Sequence, residues 1–164
     1  MKNILKRKIG IAGCGTMGLP MLKVLLKNNI SASGYDIKPK ENFKSIKNHF
    51  VESKLSFFEQ NEVIVSLVRD INETTEICEG KNGLFNFKKP KILIISSTLS
   101  PLFIKSLKKK SPRNITLIDA PMSGAPMSAK RASLTFMIGS TKVQFKNILP
   151  LLKLMGKKIK HIGP

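Results

Sequence analysis

Residues 8–29 read KIGIAGCGTMGLPMLKVLLKNN. An apolar run leads into three glycines, Gly13, Gly15 and Gly18. A run with helical spacing follows, in which Met21, Leu22, Leu25 and Leu26 share a face. Pro20 falls in the first helical turn, where its missing N–H is tolerated, and Asn28-Asn29 stop the pattern. The spacing predicts a strand over 8–13 and a helix over 17–28, joined by a G-x-G-x-x-G turn. In that context each glycine has a task. Gly13 permits the tight turn, Gly15 lets the backbone approach a pyrophosphate, and Gly18 lets the helix pack close on the sheet. The helix N-terminus adds free N–H groups and a partial positive charge that favour phosphates.

A dinucleotide site needs a second element, an acidic residue at the end of the next strand. SASGYD, residues 31–36, reads as that strand, and Asp36 stands 21 residues after Gly15. A carboxylate there takes both ribose hydroxyls of NAD and repels the extra phosphate of NADP. Lys38 and Lys40 follow closely and soften that preference, so NAD is the expected cofactor and NADP the lesser alternative.

Further along, the same alternation continues. KPKENFKSIKN (38–48) reads as a polar helix, and SKLSFFEQ (53–60) as a short helix capped by Ser53. EVIVSLV (62–68) is a continuous β-branched run of the kind found in buried parallel strands. INETTEICEG (71–80) reads as a helix ended by Gly80, KILIISS (91–97) as a strand, and SPLFIKSLKKK (100–110) as a helix. NITLIDA (114–120) and SLTFMIG (133–139) read as strands, TKVQFKNILPLLKLMG (141–156) as a helix kinked near Pro150, and KKIKHIG (157–163) as a last strand. Strands alternating with helices predict an α/β fold of the Rossmann type: a doubly wound, mostly parallel sheet covered by helices on both faces. With 164 residues the chain is expected to be one dinucleotide-binding domain over 1–164.

Composition narrows the function classes. No apolar run reaches the roughly 18 residues of a membrane span. The basic-then-apolar N-terminus, MKNILKRKIGIAG, runs straight into the glycine turn without a cleavage site, so a cytoplasmic protein with no membrane association is expected. Cys14 and Cys78 lie far apart without metal-ligand spacing and are expected to be reduced, partly buried thiols; His49 and His161 have no metal or triad partner near them. The net charge of +19 rests overwhelmingly on Lys, with only Arg7, Arg69, Arg113 and Arg131 as arginines. Arginine forks and interleaved aromatics, which nucleic-acid readers favour, are not seen, and KSLKKKSP (105–112) reads as the solvated end of a helix. Nucleic acid is therefore not the expected partner.

With these residues in view, IGIAGCGTMGLPM resembles the opening signature of the β-hydroxyacid dehydrogenases, a family that includes 3-hydroxyisobutyrate dehydrogenase and 6-phosphogluconate dehydrogenase. The Gly15-Thr16-Met17-Gly18 step and Met21 fit its pattern, which places Thr16 and Met17 with the glycines at the cofactor; Cys14 replaces the usual Leu. DAPMSGAPMSAKRASLTFMIGS (119–140) resembles the family's substrate segment, so the resemblance makes Ser123 and Gly124 substrate contacts. A hydroxyl and unhindered backbone N–H groups suit a carboxylate. Ala125 stands where the family has a second Gly, and Ser128 and Ala132 replace later glycines, which puts substrate identity in question. ISSTLSP (95–101) resembles a family Ser-Thr-Ile-Ser-Pro and implies Thr98 beside the nicotinamide ribose, while Ser100 and Pro101 also suit a helix start. SLVRDINE (66–73) aligns with a stretch along the cofactor: Leu67 and Val68 take the places of a Leu-Pro pair, and Asn72 fits an Asn that reaches the cofactor.

The resemblance implies hydride transfer between a nicotinamide cofactor and a small 3-hydroxy acid or its semialdehyde. It also implies a catalytic Lys on a linking helix beyond the cofactor domain, followed by a helical domain that closes the cleft and forms much of the subunit contact. The chain stops at Pro164 and reads as an interrupted protein or an excised domain. No residue in it is assigned as that Lys, since Lys158 and Lys160 come too early. The chain alone is thus expected to be inactive, and a homo-oligomer only in a longer form. The alternative is a non-catalytic dinucleotide-binding module with an anionic, nucleic-acid partner.

Overall fold

The computed structural model describes residues 3–164. Met1 and Lys2, the start of the basic N-terminal stretch, lie outside the described residues. The order of elements is β1 (Ile9–Ala12), α1 (Gly18–Lys27), β2 (Ala32–Tyr35), α2 (Lys54–Gln60), β3 (Val63–Ser66), α3 (Ile71–Cys78), β4 (Lys91–Ile95), α4 (Pro101–Lys110), β5 (Ile115–Asp119), β6 (Met122–Ser123), α5 (Pro126–Lys130), β7 (Leu134–Gly139), α6 (Lys142–Met155) and β8 (Gly156–Gly163). Short 3-10 segments occupy Ile4–Lys6, Lys40–His49 and Leu84–Asn86.

The strands form one sheet in the order β2-β1-β3-β4-β5-β7-β6, with β8 paired to β7. β1 pairs in parallel with β2 on one side and β3 on the other, so the winding reverses beside β1 and opens a crevice at the carboxyl ends of β1 and β3. β3, β4 and β5 continue in parallel. β7 then runs antiparallel to both β5 and β6 in one register, Asp119 facing Gly139 and Ser123 facing Thr135, so β5 and β6 are one strand bent at Ala120-Pro121.

Both faces of the sheet are covered, as alternate strand residues demand. On one face Ile9, Ile11, Val63, Val65, Ile92 and Ile94 pack with Met21, Leu22 and Leu25 of α1 and Leu151, Leu152 and Met155 of α6. On the other, Ala12, Ile64, Leu93 and Ile95 pack with Phe57 and Phe58 of α2, Ile77 of α3 and Ile104 of α4. The β-branched runs read from the sequence are fully buried at β3 and β4, which is why they alternate between two cores rather than between core and solvent.

Some local expectations change, and others hold. Residues 38–48 do not form a helix: Lys40–His49 is a run of 3-10 turns broken at Phe43 (φ −118°) and Ile46 (φ −132°). Those two residues are the buried ones of the segment, and Phe43 stacks on Phe50 at 4.5 Å between centroids. A stretch with two anchors and no continuous apolar face gains nothing from a full helix. β6 and α5 lie in a stretch the sequence left without elements, too short for a periodic signal. α6 runs as the one expected helix with Pro150 inside it, closed at its start by a reciprocal cap between Thr141 and Gln144. Ser53 caps α2 as expected, whereas Ser100 stands at the N-cap of α4 without a side-chain cap bond and leaves Pro101 to open the helix.

Candidate dinucleotide cleft

The glycine turn sits on the crevice that the topology creates. Gly13 has φ +94°, a conformation costly for any residue with a Cβ, and a Cβ there would meet the Leu67 carbonyl oxygen at 2.8 Å. The turns after β1 and β3 therefore touch, and Leu67 N–H donates to the Ala12 carbonyl at 2.8 Å. Gly18 is needed for packing: a Cβ there would lie 1.8 Å from the Gly13 carbonyl oxygen. Gly15 is different. Its φ is not positive, and a Cβ would meet nothing in the chain within 4 Å. Neither backbone conformation nor internal packing asks for glycine at 15, and the open space above it is where a phosphate group of the cofactor would approach. α1 starts at this point with Met17 as N-cap and no side chain bonded to its first N–H groups.

Asp36 ties this turn to β2. Its Oδ2 accepts from the Cys14 N–H at 2.8 Å and its Oδ1 from the Lys38 N–H at 3.0 Å, while Gly13 N–H donates to the Tyr35 carbonyl at 2.9 Å. Each carboxylate oxygen has a second lone pair free for a ribose hydroxyl. The fit to a dinucleotide is therefore good on this structure's own terms: an open cradle at Gly15, an uncapped helix start, and an oriented carboxylate at the end of β2.

These groups line a cleft of about 560 Å³ together with Ile37, Lys38, Lys54, Leu67, Val68, Arg69, Asn72, Glu73 and Glu76. Two ion pairs hold four of its charged side chains. The Lys54 ammonium donates to the Glu76 carboxylate at 2.6 Å and to its backbone carbonyl at 2.7 Å. The Arg69 guanidinium donates from Nε to Glu73 Oε1 at 2.7 Å, and a second nitrogen, Nη2, bridges to the same oxygen. Glu73 Oε2 also accepts from Arg69 N–H at 2.8 Å, and Glu73 N–H donates to Asp70 Oδ1 at 2.9 Å, closing the first turn of α3. The hydrogen bonds from Arg69 hold the Glu73 carboxyl below the usual carboxylate range. Burial, helped by Asp36, pushes the Tyr35 phenol and the Cys14 thiol up, the thiol to about 12.

Of the residues expected from sequence, Gly13, Gly15, Asp36, Leu67, Val68 and Asn72 line the cleft. Thr16, Met17 and Gly18 form the start of α1 beside it; Met17 packs on the core. Thr98 is exposed in the turn between β4 and α4 and is not among the residues lining the cleft. Next to it, Ser97 Oγ donates to the Val68 carbonyl at 2.5 Å and joins the turns after β3 and β4. Ser123, Gly124 and Ala125 are exposed, with Gly124 at φ +147°, directly before α5, which packs on α1. Sequence reasoning missed Ile37, Lys54, Arg69, Glu73 and Glu76. The Asp70-x-x-Glu73 spacing of a helix start and the Arg69/Glu73 spacing of a helical ion pair were the available signals.

The free cysteines are both buried, as expected. His161 is structural: its Nε2 lies 2.7 Å from the Ser140 carbonyl, and its ring stacks on Phe145. No helix of the described residues is long and apolar enough to cross a membrane.

Comparison with known proteins agrees with this geometry. The family model described as the NAD binding domain of 6-phosphogluconate dehydrogenase matches residues 8–163. The mitochondrial 3-hydroxyisobutyrate dehydrogenase of Drosophila melanogaster is 35% identical over 159 residues, covering 96% of this chain and 49% of the relative. That of Mus musculus is 32% identical over 162 residues, covering 96% and 48%. The structure of Mycobacterium tuberculosis 3-hydroxyisobutyrate dehydrogenase with L-serine superposes with a TM-score of 0.83 at 25% identity, covering 96% of this chain and 54% of that one. The chain spans about half the length of the curated relatives it matches.

Proposed function

This chain belongs to the family of the NAD binding domain of 6-phosphogluconate dehydrogenase, and from that premise we propose that residues 1–164 are the cofactor domain of a 3-hydroxyacid dehydrogenase of the 3-hydroxyisobutyrate type. The observation that carries the reading is the unoccupiable-by-self cradle at Gly15, set beside a carboxylate that the turn itself holds in place. In this reading the bound nicotinamide supplies or accepts a hydride. This chain's residues bind and orient. The N–H groups of the glycine turn and of the start of α1 take the pyrophosphate. Asp36 accepts from the adenosine ribose, and NAD is preferred over NADP. Leu67, Val68 and Asn72 line the path between the two nucleotides, and Thr98 stands nearest the nicotinamide end.

The exposed 123–125 turn is the candidate contact for the carboxylate of a small 3-hydroxy acid or semialdehyde. Relatives named 3-hydroxyisobutyrate dehydrogenase and 2-(hydroxymethyl)glutarate dehydrogenase indicate the substrate class. Ala125 narrows that turn by one methyl relative to glycine. No side chain here is assigned the proton transfer at the substrate oxygen, which the family resemblance gives to a Lys outside residues 1–164. The test has two readouts. NADH fluorescence titration is expected to show saturable binding to the chain. Addition of methylmalonate semialdehyde is expected to leave the nicotinamide absorbance almost unchanged. Absent NADH binding refutes the cofactor assignment, and robust turnover refutes the need for the missing Lys.

A further inference from the structure

The cleft holds an arginine that is spoken for. Arg69 lies among the residues that line the cleft with Asp36, on the turn after β3, and its side chain is 82% exposed on the open side. A free guanidinium at that place is what a 2′-phosphate would seek, because its fork matches phosphate oxygens. It is not free. Nε and Nη2 both point to Glu73 Oε1. Glu73 cannot swing away without losing a further bond, since its Oε2 accepts from the Arg69 N–H. Lys54 is likewise committed to Glu76 through two bonds, and Lys38, beside Asp36 in the lining, offers a point charge rather than a fork that matches phosphate oxygens.

We infer that Glu73 is a second determinant of cofactor choice: by clamping Arg69 and offsetting its charge within the cleft, it keeps a latent 2′-phosphate site closed. This rests on the reading of the cleft as a dinucleotide site. Asp36 excludes the phosphate by repulsion at the ribose; Glu73 does so by withholding the guanidinium that lines the cleft. The two act on different atoms, so their effects are separable. The sequence carries the latent site in the order Arg69-Asp70-x-x-Glu73, where one charge change releases the arginine.

Glu73→Gln is the informative variant. Glutamine keeps an oxygen to accept from the Arg69 N–H, so the start of α3 is preserved, but it no longer neutralises the guanidinium. NADH and NADPH dissociation constants are measured by fluorescence titration at low salt for the wild type, E73Q, R69Q and the R69Q/E73Q double variant. E73Q is expected to bind NADPH about tenfold more tightly, the size of one charge-assisted hydrogen bond gained, with NADH affinity changed by less than about threefold. The double variant is expected to lose the gain, because the gain runs through Arg69. R69Q alone is expected to bind NADPH no more tightly than the wild type, and somewhat more weakly, because it leaves the Glu73 charge uncompensated in the cleft. If the wild type binds NADH and E73Q leaves NADPH affinity unchanged, or the double variant keeps the gain, the inference falls while the cofactor reading stands. If R69Q alone binds NADPH more tightly than the wild type, Arg69 is no latent partner of the phosphate and the clamp is refuted, even should E73Q fail to fold. If the wild type binds neither nucleotide, the cofactor reading fails and the inference with it.

Discussion

Two alanines, three residues apart, separate what the glycine turn does for folding from what it does for a ligand. At Gly18 the added methyl would sit 1.8 Å from the Gly13 carbonyl oxygen, with Ile11 Cγ2 at 3.3 Å behind it. Neither neighbour is the loose end of a flexible side chain, so α1 must lift from β1. Overpacking of a rigid core costs about 1–3 kcal/mol, and this contact belongs at the upper end. About 3 kcal/mol corresponds to a fall in Tm of roughly 6–12 °C for a chain of this size. At Gly15 the methyl meets nothing within 4 Å, and φ is not in the positive range that penalises a Cβ. Gly15→Ala is expected to leave Tm unchanged or to raise it slightly, by at most about 1 kcal/mol through the unfolded chain. It is also expected to weaken NADH binding at least about tenfold, or about 1.4 kcal/mol, as the methyl enters the space a phosphate would fill. Differential scanning fluorimetry and NADH titration of both variants decide it. A Gly15→Ala chain that melts early, or that binds NADH as the wild type does, refutes the assignment of that open space.

Other perturbations follow from the same geometry. Asp36→Ala removes the ribose acceptor and is expected to cost NADH at least about tenfold while shifting preference towards NADPH; a titration in which NADH affinity is untouched would contradict the role. Burial raises the Cys78 thiol from 9.0 to about 12. The folded chain then keeps a proton that the unfolded chain releases, so this contribution is intact below pH 9 and is lost as pH rises from 9 towards 12, by up to about 1.4 kcal/mol per pH unit. The stability advantage of wild type over Cys78→Ala is therefore expected to shrink between pH 8 and pH 10, read from urea midpoints. A constant gap would show that the thiol does not resist ionisation in the fold.

The glycine turn and Asp36 were legible because their signal is local. Strand, turn and helix occupy adjacent residues, and the carboxylate follows at a spacing set by one β-α-β unit. The hydrogen bond from Cys14 N–H to Asp36 was not legible, because nothing in the order of residues says which way the carboxylate turns when two loops meet. The Arg69–Glu73 clamp lay between: its spacing was readable, but its position in the cleft depends on how α3 packs behind β3. Residues 122–130 gave no periodic signal, since a two-residue strand after Pro121 and a one-turn helix opened by Pro126 are shorter than any repeat. Residues 40–49 misled because polar runs with two buried anchors satisfy a helix pattern and a 3-10 pattern alike.

The double grip of Asp36 on Cys14 and Lys38 N–H also bears on how fast a nucleotide is taken up. A loop whose shape is already fixed in the free chain has no ordering step left to make when the ligand arrives. Encounter then depends on diffusion and orientation, and the net charge of +19 draws an anionic dinucleotide inward from a distance. Observed association rates should rise linearly with nucleotide concentration, without the plateau of a slow rearrangement, and should fall as added salt screens the field.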